Sequence, residues 1–369
     1  MKTQVYFVRH CESEGNACRR NHAQFDGIVT RKGILQSEVL ADRFQSIAVT
    51  AVYSSDSYRA RMTAAPLARR KGLPVQLRML LREYTIGTWE GYSLGTIACR
   101  YPDLWKIWTA TPWTHQIPGA DPFPTVAERG IEILRRMAHE NQGGVVVAVT
   151  HSCLLTCMLT TLLGQDISYY ERIKSGDNTA VTLVEVEDSG TWNVVFINDS
   201  SHLPPNLRRT QYTGRSADTN LAFSLADPQA ESGKIKAWLS RLKEENALSA
   251  QNPAFLSSAE TIEPYQILFA RLLNRVCGML VLKEDPYRPD CGIVAALALE
   301  EELKPQGYFL QELGEAIDFF RRRGKRFLRL REPACPFQRE LLTRFCFEPE
   351  ENGYYRLAIT VPGTEGPVY

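Results

Sequence analysis

The chain has 369 residues, 44% hydrophobic and 23% charged, with 43 Lys+Arg against 42 Asp+Glu. That length predicts two domains of ordinary globular composition. Charge is balanced in both halves, which argues against nucleic acid or an anionic membrane as partner, and no apolar run reaches the roughly 18 residues of a membrane span.

Met1-Lys2 runs into a strand with no signal-peptide pattern, so a cytoplasmic location is expected. The nine cysteines are scattered and odd in number; they read as reduced thiols. Cys153 and Cys157 stand four apart on a predicted helix, with no second pair at zinc-finger spacing, and no metal site is expected. The composition leaves oligomeric state open, a homo-oligomer included.

In chain order, residues 4–9 predict a buried strand and residues 33–47 an amphipathic helix, with Ile34, Leu35, Val39, Leu40, Phe44 and Ile47 on its apolar face. Ala51-Val52-Tyr53 is a short strand ending in polar residues, and a helix over 57–71 is closed by Gly72. Residues 98–124, irregular and aromatic with Trp105, Trp108 and Trp113, suit either a lid over a site or a hydrophobic cluster under a loop. A helix over 126–141 leads to the apolar strand 145–149 and a helix over 153–163. Strands at 179–187 and 191–197 form a hairpin around Asp188-Ser189-Gly190. Alternating strands and helices predict an open, mostly parallel sheet covered on both faces. Residues 206–225 read as a linker between domains at 1–205 and 226–369. Beyond it come a polar helix at 231–246, strands at 265–273, 276–283 and 293–299, a helix at 308–323, a strand at 326–330, a short helix at 338–345 and a last strand at 355–361.

All six histidines lie in the first 205 residues, and two of them, His10 and His151, end predicted buried strands. One histidine at a strand end is usually structural; two at the mouth of one sheet suggest chemistry. Arg9 precedes His10, and Arg59 opens the helix after the strand ending at Tyr53. Guanidinium groups suit bidentate phosphate recognition, so His10 reads as a nucleophile for phosphoryl groups and Arg9 as a phosphate holder.

These residues resemble a family. Arg9-His10-Cys11-Glu12-Ser13 with Asn16 resembles the Arg-His-x-Glu-Ser/Thr signature of the histidine phosphatase superfamily, phosphoglycerate mutase-like branch. Residues 54–65 look like that family's second phosphate-binding arginine segment, and Leu81-Arg82-Glu83-x-x-x-Gly87-x-Trp89-Glu90-Gly91 like its acid segment. Pro118-Gly119-Ala120-Asp121 and residues 145–152 are similar to its remaining stretches, so the likeness covers roughly residues 3–203. It implies a phosphoglycerate mutase-like three-layer α/β/α domain. It further implies His10 as nucleophile, Glu83 as general acid/base, and His151, Arg9 and Arg59 around the phosphoryl group, with Ser13, Asn16 and Ser152 as further substrate-binding residues and no required cofactor. The arginines beside His10 are expected to keep it neutral, and those near Glu83 to oppose the burial and phosphate charge that would keep it protonated. Cys11 departs from the Gly or Ala of many members and reads as a packed thiol. Hydrolysis of a small phosphorylated metabolite is favoured over mutase-type phosphoryl transfer, because the span from Gly91 to Val126 is of ordinary length and hydrophobic rather than basic.

Residues from about 265 to 357 resemble a GNAT N-acetyltransferase, a second α/β domain, through Cys277-Gly278-Met279-Leu280-Val281-Leu282, residues 295–300, Gly307 leading a helix, and residues 324–330 followed by Arg344-Phe345-Cys346-Phe347. The likeness implies acetyl-CoA at a loop here reading Lys304-Pro305-Gln306-Gly307-Tyr308-Phe309, with Gln306 and Gly307 as its contacts. Pro305 removes one amide donor, Phe309 stands where a second glycine would allow close approach, and Leu342 replaces a catalytic tyrosine. A domain degenerate for acetyl transfer is expected; a bifunctional phosphatase/acetyltransferase and a non-catalytic regulatory protein stay as alternatives. The Arg321-Arg322-Arg323 run reads as a solvated helix end.

Overall fold

A computed structural model describes residues 1–114, 117–208, 219–244, 265–333 and 335–361. The elements begin with β1 (Lys2–Arg9), the short helix α1 (Glu14–Ala17), α2 (Arg31–Arg43), β2 (Ala51–Ser54), α3 (Tyr58–Lys71) and β3 (Val75–Leu77). Next come α4 (Leu94–Arg100), α5 (Pro102–Ala110), α6 (Phe123–Glu140), β4 (Val145–Thr150), α7 (Ser152–Leu162), β5 (Val181–Glu187) and β6 (Trp192–Asp199). They continue with β7 (Ala222–Leu225), α8 (Ser232–Glu244), β8 (Tyr265–Leu272), β9 (Arg275–Glu284) and β10 (Cys291–Leu299). The chain then runs through α9 (Tyr308–Arg321), β11 (Phe327–Arg331), α10 (Pro336–Arg344), β12 (Glu348–Pro349) and β13 (Tyr354–Ala358). Two compact units result. The first takes the described residues of Met1–Ser13, His22–Glu90 and Asp103–Thr213; the second takes those of Glu14–Asn21, Gly91–Pro102 and Gly214–Tyr369.

The first unit is built on a six-stranded sheet of order β3-β2-β4-β1-β5-β6. β1 to β4 run parallel, and β5 and β6 form the antiparallel hairpin. Consecutive residues of β1 serve opposite faces, as a strand requires. Val5 and Phe7 pack with Ile133 and Leu134 of α6 and Leu155 and Leu159 of α7. Tyr6 and Val8 pack with Leu40 of α2 and Ala64 and Leu67 of α3. Both faces are thus dry, which is why these strands are continuously apolar. In register, Arg9 lies opposite Thr150. The chain therefore leaves the sheet at His10 and His151 side by side.

Several expectations are corrected here. Ile34 and Leu35 lie outward on α2; its buried face includes Gln36 and Ser37. Gln36 is tolerated there because its side chain accepts from the Glu12 amide and donates to the Leu207 carbonyl. Residues 98–124 are largely helical, not irregular. Trp105 and Trp108 are buried, stacked at 5.3 Å and packed on Trp89, which favours the hydrophobic cluster over the lid. Residues 115–116 lie outside the described residues, as do 209–218 of the expected linker. The rest of that linker is not all connection, because Ala222–Leu225 forms the edge strand β7, too short to show a period in sequence.

The second unit has a seven-stranded sheet of order β12-β13-β11-β10-β9-β8-β7. Its neighbours pair antiparallel except β10 and β11, which are parallel and joined through α9. One face carries Ile235, Trp238, Leu239 and Leu242 of α8. The ring of Phe320 on α9 lies against Gly292, where a Cβ would be 2.3 Å from it. Arg321 is not a solvated helix end: it forks onto the fully buried carboxylate of Glu14 at 3.0 and 2.7 Å. Arg20 likewise reaches Glu315 at 2.5 Å, Asp318 at 2.7 Å and the Gly91 carbonyl at 2.6 Å. These paired charges tie the 14–21 and 91–102 stretches into this unit.

Glu312, also on α9, is fully buried and neither carboxyl oxygen has a hydrogen-bond partner among the described residues. Burial pushes its pKa well above the ordinary 4.5. Between those two values the folded chain binds a proton the unfolded chain has released, so stability falls as pH rises. Glu312→Leu is expected to raise unfolding free energy at pH 8 by about 1–3 kcal/mol and to flatten its decline from pH 5 to 8. Urea unfolding at the two pH values checks both.

Candidate active site

The site starts where β1 ends. His10 is buried, its amide bonded to the Thr150 carbonyl at 2.9 Å. Its Nδ1 lies 2.7 Å from the Cys11 carbonyl. A carbonyl can only accept, so Nδ1 carries the ring proton and Nε2 presents a lone pair. Burial, then the charges of Arg59 and Arg9, push the imidazole pKa well below its usual 6.5. The arginines act as expected, but burial is the larger cause. Cys11 is the packed thiol anticipated, its amide bonded to Thr63 Oγ1 at 2.8 Å.

Arg59 sits in the first turn of α3, which follows β2 after the N-cap Ser57. Its guanidinium is almost wholly buried. Nη2 donates to the Ala23 carbonyl at 2.7 Å and to His151 Nδ1 at 3.1 Å; Nη1 donates to the Phe25 carbonyl at 3.0 Å and meets Asp26 at 3.3 Å. The buried Nε has no acceptor among the described residues. Because His151 Nδ1 accepts from Arg59, its proton is on Nε2, which donates to Ser55 Oγ at 3.0 Å. The two imidazole rings stand 5.1 Å apart. Burial and Arg59 hold His151 well below 6.5 as well, so both rings are neutral. Arg9 Nη1 donates to the Gly176 carbonyl at 2.7 Å.

Glu83 lies past the 3-10 turn Met79–Leu81. Its carboxylate accepts from the amides of Tyr84 at 3.0 Å, Leu154 at 2.9 Å and Cys153 at 3.0 Å. The last two are amides of the first turn of α7, for which His151 is the N-cap, so one helix end seats both groups. Ser13 is buried and bridged to Val29, and Ser152 Oγ lies 3.5 Å from Ser175 Oγ. Asn16 is exposed on α1, a helix that belongs to the second unit.

The sequence profile of the histidine phosphatase superfamily (branch 1) matches residues 5–200, more than half of the chain. The chain belongs to that superfamily. The probable phosphoglycerate mutase GpmB of Cronobacter sakazakii is 32% identical over 206 residues, covering 54% of this chain and 94% of the relative. Its counterpart from Salmonella choleraesuis is 28% identical over 204 residues, with the same coverage. The solved structure of Bacillus stearothermophilus YhfR superposes with a TM-score of 0.52 at 27% identity, over 54% of this chain and 98% of that one. The first unit is thus a phosphatase-type enzyme of this superfamily.

In this histidine phosphatase, several residues that shape the site carry no sequence signal. Asn178 donates to the His10 carbonyl at 2.9 Å, and Asp26 accepts from the Tyr58 amide while facing Arg59. Ser55 was legible only as part of a polar strand end. In the second unit, Gln306 turns back onto the Glu302 carbonyl at 2.7 Å, and Gly307 is the N-cap of α9 at φ 77°. Phe309, in the first turn of α9, is buried. All nine cysteines are free thiols, and Cys153 and Cys157 share a thiol–thiol hydrogen bond at 3.8 Å rather than a disulfide.

The neutral state of His10 is directly measurable. Its 15N signals are expected to keep neutral-imidazole shifts from pH 8 down past 6.5, with protonation only at lower pH. Titration near 6.5 would contradict the placement.

Proposed function

We propose that the first unit hydrolyses a small phosphomonoester through a phosphohistidine at His10. The observation that carries this reading is the fixed tautomer. The Cys11 carbonyl holds the ring proton on Nδ1, leaving the Nε2 lone pair for attack beside Arg9, Arg59 and His151. The lone pair bonds to phosphorus as the P–O bond to the leaving group breaks. Glu83 gives its proton to the departing alkoxide. The guanidinium groups, with Arg59 Nε unpartnered among the described residues and available as a donor, take up the phosphoryl charge. Water then attacks phosphorus, Glu83 takes its proton, and the N–P bond breaks to restore the neutral ring. No cofactor is needed. Ser13 and Ser152 are proposed as further phosphoryl contacts.

Mutase-type transfer is the second reading, favoured by the curated relatives, which are named probable phosphoglycerate mutases. The span from Gly91 to Val126 is of ordinary length and hydrophobic rather than basic, which supports hydrolysis over a mutase's hold on a phosphorylated acid.

For the second unit, the proposal is a GNAT-like fold that does not transfer acetyl groups. The parallel β10–β11 pair, with β10 running on to Leu299 beyond Val294, the last residue it pairs with β11, supports the fold. The residues do not suit acetyl-CoA. Gln338 donates to the Leu297 carbonyl at 2.8 Å in the part of β10 that does not pair with β11, Pro305 lacks an amide hydrogen, and Gln306 is engaged in its own turn.

With an aryl phosphate, wild type should release inorganic phosphate and acquire acid-labile label on His10. His10→Ala should lose at least about three orders of magnitude in kcat/KM; equal turnover would sink the reading. Phosphoglycerate should yield free phosphate, not its isomer. Calorimetric titration of the full chain with acetyl-CoA is expected to give no micromolar binding.

A further inference from the structure

We propose that Glu90 is a positioning residue for phosphate binding: its carboxylate shapes residues 23–25 so that they hold Arg59 in place. The inference rests on the phosphatase reading above. Glu90 Oε1 accepts from the amides of Ala23 at 2.8 Å and Phe25 at 3.2 Å, and Oε2 from that of Gln24 at 3.1 Å. Three successive amides converging on one carboxylate form a concave anion nest. The carbonyls of the same segment serve the opposite charge, since Ala23 and Phe25 accept from the two terminal nitrogens of Arg59. Residues 23–25 are thus clamped between a carboxylate and a guanidinium.

The anchor of the clamp is rigid. Glu90 follows the 3-10 turn Gly87–Trp89, and Trp89 is fully buried against Trp105 and Trp108. Gly87 has φ 62°, and a Cβ there would lie 2.1 Å from the Pro118 carbonyl, so that turn is seated directly on backbone. A line of contacts runs from the tryptophans through Glu90 and the 23–25 peptides to Arg59, and from Arg59 to His151. Asp26 lies beside it, facing Arg59 from the next residue. Burial pushes the Glu90 pKa up, while the three amides and Arg59 favour its charged form. Glutamine at this position would keep one acceptor oxygen and turn an NH2 toward an amide hydrogen, breaking the nest without changing the volume.

The test compares full-length wild type, Glu90→Gln, Arg59→Met and the double variant. Binding of orthovanadate and inorganic phosphate is measured by calorimetry, turnover of an aryl phosphate gives KM and kcat, and thermal melting reports the fold. Glu90→Gln is expected to weaken vanadate binding and raise KM about ten- to a hundredfold, with a smaller change in kcat. In the Arg59→Met background the same change should alter vanadate binding less than about twofold, because Glu90 acts through Arg59. Glu90→Asp, which shortens the arm but keeps both oxygens, should recover part of the loss, and it carries the cycle if Glu90→Gln does not fold. Wild-type-like binding by Glu90→Gln, or penalties that multiply in the double variant, would overturn the role of Glu90. A wild type that neither turns over the ester nor binds vanadate would instead overturn the phosphatase reading.

Discussion

A buried guanidinium is the constraint on which the first unit depends. Arg59 carries a full charge with almost no access to water, and charge can be buried only where it is paired and bonded. The chain supplies two carbonyls, one imidazole nitrogen and one aspartate. Each of these fixes something else. The imidazole is fixed in its tautomer and kept neutral. The carbonyls bend residues 23–26 around the arginine. The aspartate caps the amide of Tyr58 at the start of α3. A phosphoryl dianion would complete this balance, so the same deficit that costs stability in the free chain favours anion binding.

The sheet makes this arrangement possible at little cost in precision. β1 and β4 are adjacent, parallel and locked in register by apolar residues on both faces. A slip by one residue would turn Val5 and Phe7 away from α6 and α7. The spacing of the two histidines is therefore enforced by hydrophobic packing across the whole sheet, far from the polar chemistry at its mouth. Glu83 comes from an irregular stretch, and it is held by the α7 amides instead of by strand register.

What the sequence reveals follows from range. The strands, the main helices and the strand-end histidines depend on local periodicity, and they stand where the apolar runs end. Arg59 was marked locally by its place at the start of the helix after a strand end, whereas Glu83 was legible through the family likeness alone. Asp26, Ser55, Asn178 and the amides that hold Glu83 act across long stretches of chain, and no local pattern encodes such pairings. The α2 face misled for a related reason. Ile34 and Leu35 have helical spacing, but Gln36 found buried partners at Glu12 and Leu207, and those bonds set which side turns inward. The second unit was clear in element order, yet β7 and the burial of Arg321 on Glu14 depend on residues far away in the chain.

The division of the chain between the units has a consequence for how the protein can be cut. The stretches Glu14–Asn21 and Gly91–Pro102 belong to the second unit although they lie inside the sequence of the first. The chain leaves the catalytic unit directly after Ser13 and returns at His22. Glu14, buried and forked by Arg321, would lose that guanidinium in any fragment ending near residue 205. The two units are consequently interleaved rather than serial, and neither is a cassette that a single break in the backbone could release intact.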